Sequence, residues 1–163
     1  MKKLSILLFI VPVISFSQIT YKDVMSINSE KMFKKVMIEN GYEFESNDGE
    51  LIYGYEIQKD SIDGNKSSKW GHYRKNDEFL LSFSRNSVLG SFFNLEEDNT
   101  ENEYDLIVKE IKKNCKYYDI ISKDYGDGII DYVCYSCVDS KYKGKIGFMV
   151  SEGWGYIKHF ILD

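Results

Sequence analysis

The sequence predicts an α+β protein in which two helices cover one face of an antiparallel β-sheet. Two segments carry apolar residues at helical spacing, and each is followed by four segments with the two-residue period of strands. Short turns join successive strands within each set of four. Strands joined in this way pair in antiparallel fashion, and a sheet with one apolar face is buried by helices packed on it.

The first seventeen residues have the layout of a secretory signal peptide. Positive charge at Lys2 and Lys3 precedes a short apolar stretch, and Ser15-Phe16-Ser17 provides a small-x-small cleavage site before Gln18. The apolar stretch is much shorter than the roughly twenty residues of a membrane-spanning helix, and no cysteine stands at the cleavage site to carry a lipid. We therefore predict a periplasmic or secreted protein that has no membrane anchor after cleavage, with a single domain over 18–163.

The composition limits the classes of partner. Of the 163 residues, 43% are hydrophobic and 29% are charged, which is typical of a globular domain and excludes a disordered chain. The formal net charge is −5, and loss of two lysines with the signal makes the mature chain more acidic. Because binding to phosphates needs clustered lysine and arginine, we expect no nucleic acid partner.

The first helix is predicted over about 29–40. Phe33, Val36 and Met37 recur at helical spacing, and Gly41 follows where a left-handed residue ends many helices. A short helical turn is predicted before it, because 20–23 has the pattern of a capping box. Alternation then predicts a strand that begins at Leu51, together with strands at about 42–46, 69–75 and 78–84.

An acidic stretch over 94–105 leads into the second helix, predicted over about 103–115. Acidic side chains favour the start of a helix dipole, and Thr100 with Glu103 has the spacing of a capping box. We therefore interpret the acidity as structural, with a bound cation or a basic partner as the alternative. Further strands are predicted at about 117–122, 129–137, 143–150 and 155–161.

The repeated order of one helix and four strands is the pattern expected of an internal duplication. The half-repeats would span 28–85 and 102–163, joined by the acidic linker at 94–105. Few identical residues align between the halves, and any two amphipathic helices that lead into strands match in part. A duplication and a coincidence of layout therefore both stay open.

Three segments carry a resemblance to known proteins. Ser17-Gln18, Asn40-Gly41-Tyr42-Glu43-Phe44 and the 141–148 segment together resemble small secreted proteins of unknown function from Bacteroidetes-type bacteria. This resemblance implies export and no particular activity. The layout is also similar to the beta-lactamase-inhibitor-protein architecture, and one half is similar to a cystatin-type unit. These two similarities concern layout alone, and a fold does not fix a function.

Three cysteines predict one disulfide and one free thiol in an oxidising compartment. Cys115 follows Ile107 and Ile111 at intervals of four residues, so it lies on the helix face that we expect to meet the sheet. Its partner is Cys134 or Cys137, which alternation places on opposite faces of one strand. Either bond closes a loop of about twenty residues and stabilises the fold by roughly 3 kcal/mol.

The spacing of Cys134 and Cys137 does not predict a redox site, because no helix follows to lower the pKa of a thiol. A zinc site would need a fourth ligand from His72 or His159, and neither lies at ligand spacing. We predict no metal and no cofactor. The alternative to a binding protein is an envelope hydrolase or transferase around His72 or His159, with a nearby carboxylate such as Asp131.

The excess of aromatic residues on strands predicts a binding function. Six rings are candidates for an exposed sheet face opposite the helices, since tyrosine and tryptophan give large contact areas and dominate binding hot spots. The alternative is that these rings fill the core. The first hypothesis is therefore a non-enzymatic module, protein-binding or inhibitor-like, whose partner is an unknown protein of the envelope or exterior. The candidate binding residues are Tyr53, Tyr55, Trp70, Tyr73, Trp154 and Tyr156.

Overall fold

A computed structural model describes residues 18–161, apart from 60, 63, 75, 77, 86–101, 127 and 142–143. The predicted signal peptide, Thr100 and most of the predicted acidic linker lie outside the described residues. The described elements form an α+β fold. They are α1 (Tyr21–Ser26), α2 (Glu30–Glu39), β1 (Tyr42–Asn47), β2 (Glu50–Tyr55), β3 (Lys69–Arg74), β4 (Phe79–Ser84), α3 (Glu103–Asn114), β5 (Lys116–Asp124), β6 (Ile129–Ser136), β7 (Lys145–Ser151) and β8 (Trp154–Phe160).

The eight described strands form one antiparallel sheet in the order β1-β2-β3-β4-β8-β7-β6-β5. Each set of four is a meander, because consecutive strands within it are neighbours. The two meanders meet where β4 pairs with β8, with Leu81 opposite Ile157 and Phe83 opposite Gly155. The edges of the sheet are therefore β1 and β5.

The helix ends follow from local hydrogen bonds. Thr20 forms the predicted capping box with Asp23 at the start of α1. The Ser29 side chain accepts from the Met32 N–H at the start of α2, and Gly41 ends that helix with a φ of 76°. Helix α3 is capped by Asn102, whose side chain accepts from the Asp105 N–H at 2.9 Å.

Two glycines allow the helices to lie close to the sheet. A Cβ atom at Gly71 of β3 would lie 2.5 Å from the Met37 sulfur of α2. A Cβ atom at Gly155 of β8 would lie 2.5 Å from the Tyr104 ring of α3. Both distances are shorter than those of real Cβ contacts, so a larger residue at either position would require the Met37 or Tyr104 side chain to shift. One main core cluster contains residues of the helices and of the sheet.

The disulfide joins Cys115 to Cys137, so Cys137 is the partner among the two alternatives. It fastens the end of α3 to the residue that follows β6. Cys134 is buried and free on the other side of the sheet. Burial raises the pKa of the Cys134 thiol to about 11, which keeps it protonated near neutral pH and makes it a poor nucleophile.

Loss of this disulfide is expected to lower the free energy of unfolding by about 3 kcal/mol, because the bond closes a loop between residues 22 apart. The measurement is urea unfolding of the wild type and of a Cys115→Ser/Cys137→Ser variant. Reductant should destabilise the wild type and leave the variant unchanged, which controls for effects of reductant on the buried thiol. An unchanged unfolding midpoint in the variant would contradict the prediction.

Candidate functional site

Two of the six candidate rings are core residues. Tyr53 is 5% exposed and Tyr73 is 3% exposed. Both contact Phe33 of α2, with ring centroids 6.0 Å and 5.3 Å apart. The prediction of one exposed aromatic face is therefore wrong for Tyr53 and Tyr73, because α2 covers the side of the sheet to which they point.

Tyr55 lies on the same side of the sheet as Tyr53, two residues along β2. It packs against the main core, and its ring meets the Tyr42 ring edge-on at 5.6 Å. The Lys69 ammonium lies 4.5 Å from the centre of the Tyr55 ring. These contacts give Tyr55 a structural role at the border of the core.

The remaining three rings, Trp70, Trp154 and Tyr156, share the opposite side of the sheet, and we call them the aromatic patch. Trp70 is paired with Ser82, and Ser82 with Tyr156. Trp154 is paired with Ser84. Paired residues project to the same side of a sheet, so the three rings surround small hydroxyl side chains. All three rings are partly exposed.

Glycine also shapes the edge of the aromatic patch. A Cβ atom at Gly54 of β2 would lie 2.8 Å from the Trp70 ring. The indole of Trp70 therefore extends across the backbone of β2 in the space that a larger residue would fill. This contact fixes the indole against the sheet while part of it stays accessible to a partner.

The sheet curls toward the side that carries the aromatic patch. Arg74 of β3 and Tyr125, which follows β5, interact electrostatically. Their strands are five positions apart in the sheet, about 24 Å if the sheet were flat. Lys123 of β5 also reaches the Phe160 ring of β8, at 5.7 Å from its centre. We call this curled side the concave face.

An ion pair lies in the floor of the concave face. The Lys158 ammonium lies 3.1 Å from a Glu78 carboxylate oxygen, with side chains 3% and 12% exposed. Lys158 is paired with Leu80 and with Gly147, so it sits near the middle of the sheet. A second cluster of buried residues adjoins it, formed by Tyr132, Cys134 and Phe160.

A carboxylate on the same face holds two basic side chains. Glu50 accepts from Arg74 Nε at 2.9 Å and lies 3.5 Å from His72 Nδ1. Partial burial opposes ionisation of Glu50, but the hydrogen bond with Arg74 and the charges beside it hold the pKa of Glu50 below its usual value. Burial lowers the pKa of His72 although Glu50 opposes this, so His72 is neutral at pH 7.

The two histidines differ in environment. His159 is wholly buried and stacks on Phe79 with ring centroids 5.6 Å apart. His72 lies between Ile52 and Leu80 on the neighbouring strands. Asp131, the carboxylate considered in the sequence, instead accepts a hydrogen bond from Ser122 at 2.6 Å. Across the described ranges, no group of three or more histidines, cysteines or carboxylates is arranged to hold a metal ion.

Sequence reasoning missed the buried charges. Glu103 was expected to favour the dipole of α3, yet its side chain is buried and accepts from the Ile19 N–H and from Lys69. Lys158 and Glu78 belong to no motif in the sequence. One pattern in the sequence indicates where Lys158 lies. Alternation in β8 places Lys158 on the same side as Tyr156, and so on the face proposed for binding.

Comparison of the chain with protein-family models, with curated proteins and with solved structures finds no match. Within the part of the chain that the structure describes, no helix is long and apolar enough to cross a membrane.

Proposed function

We propose that the protein is an exported, non-enzymatic binding module that captures another protein in an inhibitor-like way through its concave face. The observation that carries this proposal is the aromatic patch, in which Trp70, Trp154 and Tyr156 stay partly exposed on one side of the sheet. Partly exposed tryptophan and tyrosine side chains on a rigid sheet are the residues that most often dominate protein interfaces.

We infer that α2 and α3 both cover the side opposite the patch. Gly71, which lies under α2, is paired with Leu81, and Gly155, which lies under α3, is paired with Phe83. Leu81 and Phe83 are two residues apart in β4, so they project to the same side. The concave face is thus the face that these helices leave uncovered. The repeated order of one long helix and four strands likewise supports a tandem repeat.

Charges on the concave face would select the partner. Glu50 and Arg74 form a partly buried pair, and Lys158 with Glu78 forms a more deeply buried one. Fixed charges of this kind reject a partner that brings a like charge against them, so they contribute specificity more than raw affinity. The aromatic patch would then supply most of the contact area.

Export is supported by two features of the chain. The signal layout at the N-terminus predicts it, and the disulfide between Cys115 and Cys137 is of a kind that persists in oxidising compartments. The envelope hydrolase or transferase receives less support. His159 is buried against Phe79, and the cross-strand neighbours of His72 are the apolar Ile52 and Leu80.

Replacement of Trp70 and Trp154 by alanine is expected to weaken capture of a partner at least about tenfold while the fold is retained. The measurement is a pull-down from envelope and secreted fractions of the host, read by mass spectrometry and followed by binding titration with the captured protein. A Phe44→Ala/Tyr117→Ala variant is the matched control, because it removes two exposed rings from the edge strands β1 and β5.

Circular dichroism and thermal unfolding establish that each variant folds. Loss of capture in the folded Trp70/Trp154 variant, with capture retained by the control, would support the proposal. Equal capture by both variants would contradict it, and so would the absence of any captured protein in both fractions.

A further inference from the structure

The edge strand β5 presents a surface that the proposed function does not use. Among the described strands, β5 has a neighbour on one side only. Tyr117, Tyr118 and Ile120 of this strand are large apolar residues exposed to solvent. We propose that two copies of the chain associate through β5, in antiparallel register about a twofold axis at Ile121.

The backbone of β5 fixes which groups face outward. The Ile120 N–H donates to its neighbour Asp119 at 2.8 Å, which indicates that it points away from β6. Alternate residues of a strand direct their N–H and C=O groups to the same side, so the backbone of Ser122 also faces outward. Pairing about Ile121 brings Ile120 opposite Ser122 of the second copy, and the two such pairs form four hydrogen bonds, in which the Ile120 N–H exchanges its Asp119 acceptor for the Ser122 carbonyl.

The side chains of β5 match this register. Asp119, Ile121 and Lys123 pair with successive alternate residues of β6, so they project to one side of the sheet. Antiparallel pairing about Ile121 places Asp119 of each copy opposite Lys123 of the other, with the two Ile121 side chains meeting at the axis. Two ion pairs between opposite charges form across the twofold axis when the Lys123 side chain turns from the Phe160 ring toward the second copy.

The irregularity in β5 excludes a register in which the two copies pair over the whole length of the strand. The pairing of β5 with β6 shifts between Tyr117 and Asp119, which marks a bulge at Tyr118. The bulge puts Lys116 on the opposite side of the sheet from Asp124, so these two charges cannot meet across an extended pair of strands. The regular segment from Asp119 onward is therefore the part that pairs.

The other edge of the sheet opposes self-association. β1 also carries a bulge, between Phe44 and Ser46. Glu45 is the extra residue of this bulge, so β1 offers only short regular segments on either side of it. Bulges and charged residues such as Glu43 oppose pairing at the edge of a sheet, so β5 is the edge that accepts a second copy.

The proposal predicts a weak, concentration-dependent dimer, because one pair of short strands buries less area than a standard stable interface. The measurement is the molar mass of the protein, expressed from its full chain, by sedimentation velocity over a range of concentrations up to millimolar. Asp119→Lys and Lys123→Asp are each expected to raise the dissociation constant at least about tenfold, because each places like charges opposite each other twice.

An equimolar mixture of the Asp119→Lys and Lys123→Asp variants is expected to dimerise again. In the mixed pair, the two lysines of one copy face the two aspartates of the other. Recovery in the mixture also establishes that both variants are folded. The matched control is Glu43→Lys on β1, which changes an edge charge by the same amount and is expected not to weaken association.

A wild type that stays monomeric over the whole concentration range would overturn the proposal. So would a dimer that both single variants leave unchanged, or a mixture that stays monomeric when each variant alone has lost association. Association that each variant loses and the mixture restores identifies this register, because no other antiparallel register of β5 brings residues 119 and 123 together twice.

Discussion

Replacement of Phe33 by alanine is expected to lower the free energy of unfolding by about 3–5 kcal/mol, the range found for large aromatic residues in cores. Phe33 of α2 is wholly buried, and its ring contacts the rings of Tyr53 and Tyr73. Its ring also packs close to the backbone of β3, since a Cβ atom at Gly71 would lie 3.1 Å from it. The measurement is urea unfolding followed by circular dichroism.

The control for Phe33 lies on the same helix. Ile38 is mostly exposed, so Ile38→Ala is expected to change stability by less than about 0.5 kcal/mol. A loss for Phe33→Ala no larger than that for Ile38→Ala would contradict the prediction, because alanine raises the helix propensity in both variants and only lost contacts can destabilise α2. A loss confined to Phe33→Ala supports the packing of α2 on the sheet through this ring.

Replacement of Glu78 by alanine is expected to lower the free energy of unfolding by about 3–5 kcal/mol, because it leaves the buried Lys158 ammonium without its partner. A Glu78→Leu/Lys158→Met variant should recover most of this loss, since a buried ion pair can be replaced by apolar side chains at little net cost. The measurement is again urea unfolding of both variants.

An exposed ion pair provides the comparison. Glu30 and Lys34 of α2 lie 2.6 Å apart, and both side chains are largely in water. Glu30→Ala is therefore expected to cost less than about 1 kcal/mol. A cost for Glu78→Ala as small as that for Glu30→Ala would show that water solvates Lys158, and the floor of the concave face would then be open.

The helices and strands could be predicted from the sequence because their signals are local. The predicted helix over 29–40 and the observed α2 differ by a residue at each end. Ser29 and Gly41 mark those ends through hydrogen bonding and backbone conformation, and both effects act within a few residues. The antiparallel pairing within each set of four strands also follows from the short turns between them, whereas the pairing of β4 with β8 has no such local signal.

The partner of Cys115 could not be predicted, because alternation identifies two faces of a strand without saying which face a helix covers. The same ambiguity explains the error at Tyr53 and Tyr73. Their alternation along β2 and β3 is clear in the sequence, and only the position of α2 decides that this side is buried. Contacts between residues distant in sequence carry that information.

The concave face depends on contacts that no local pattern encodes. The curl of the sheet brings Lys123 to Phe160, across strands that are not neighbours. The pair of Lys158 with Glu78 joins residues 80 positions apart. Alternation in β8 indicates the side of the sheet on which Lys158 lies, but no local pattern distinguishes Lys158 and Glu78 from the many charged residues on the surface, so their burial cannot be predicted.

The place of β8 in the sheet has a consequence for how the chain is made. Strand β8 (Trp154–Phe160) comes after β4 and β7 in the chain, yet it lies between them in the sheet. Until the residues of β8 have been synthesised, β4 and β7 both lack this neighbour and the two meanders cannot join. A chain that stops short of Trp154 would leave β4 and β7 as unpaired edge strands, which favour pairing with other chains. Premature termination should therefore give aggregates and not a smaller folded product.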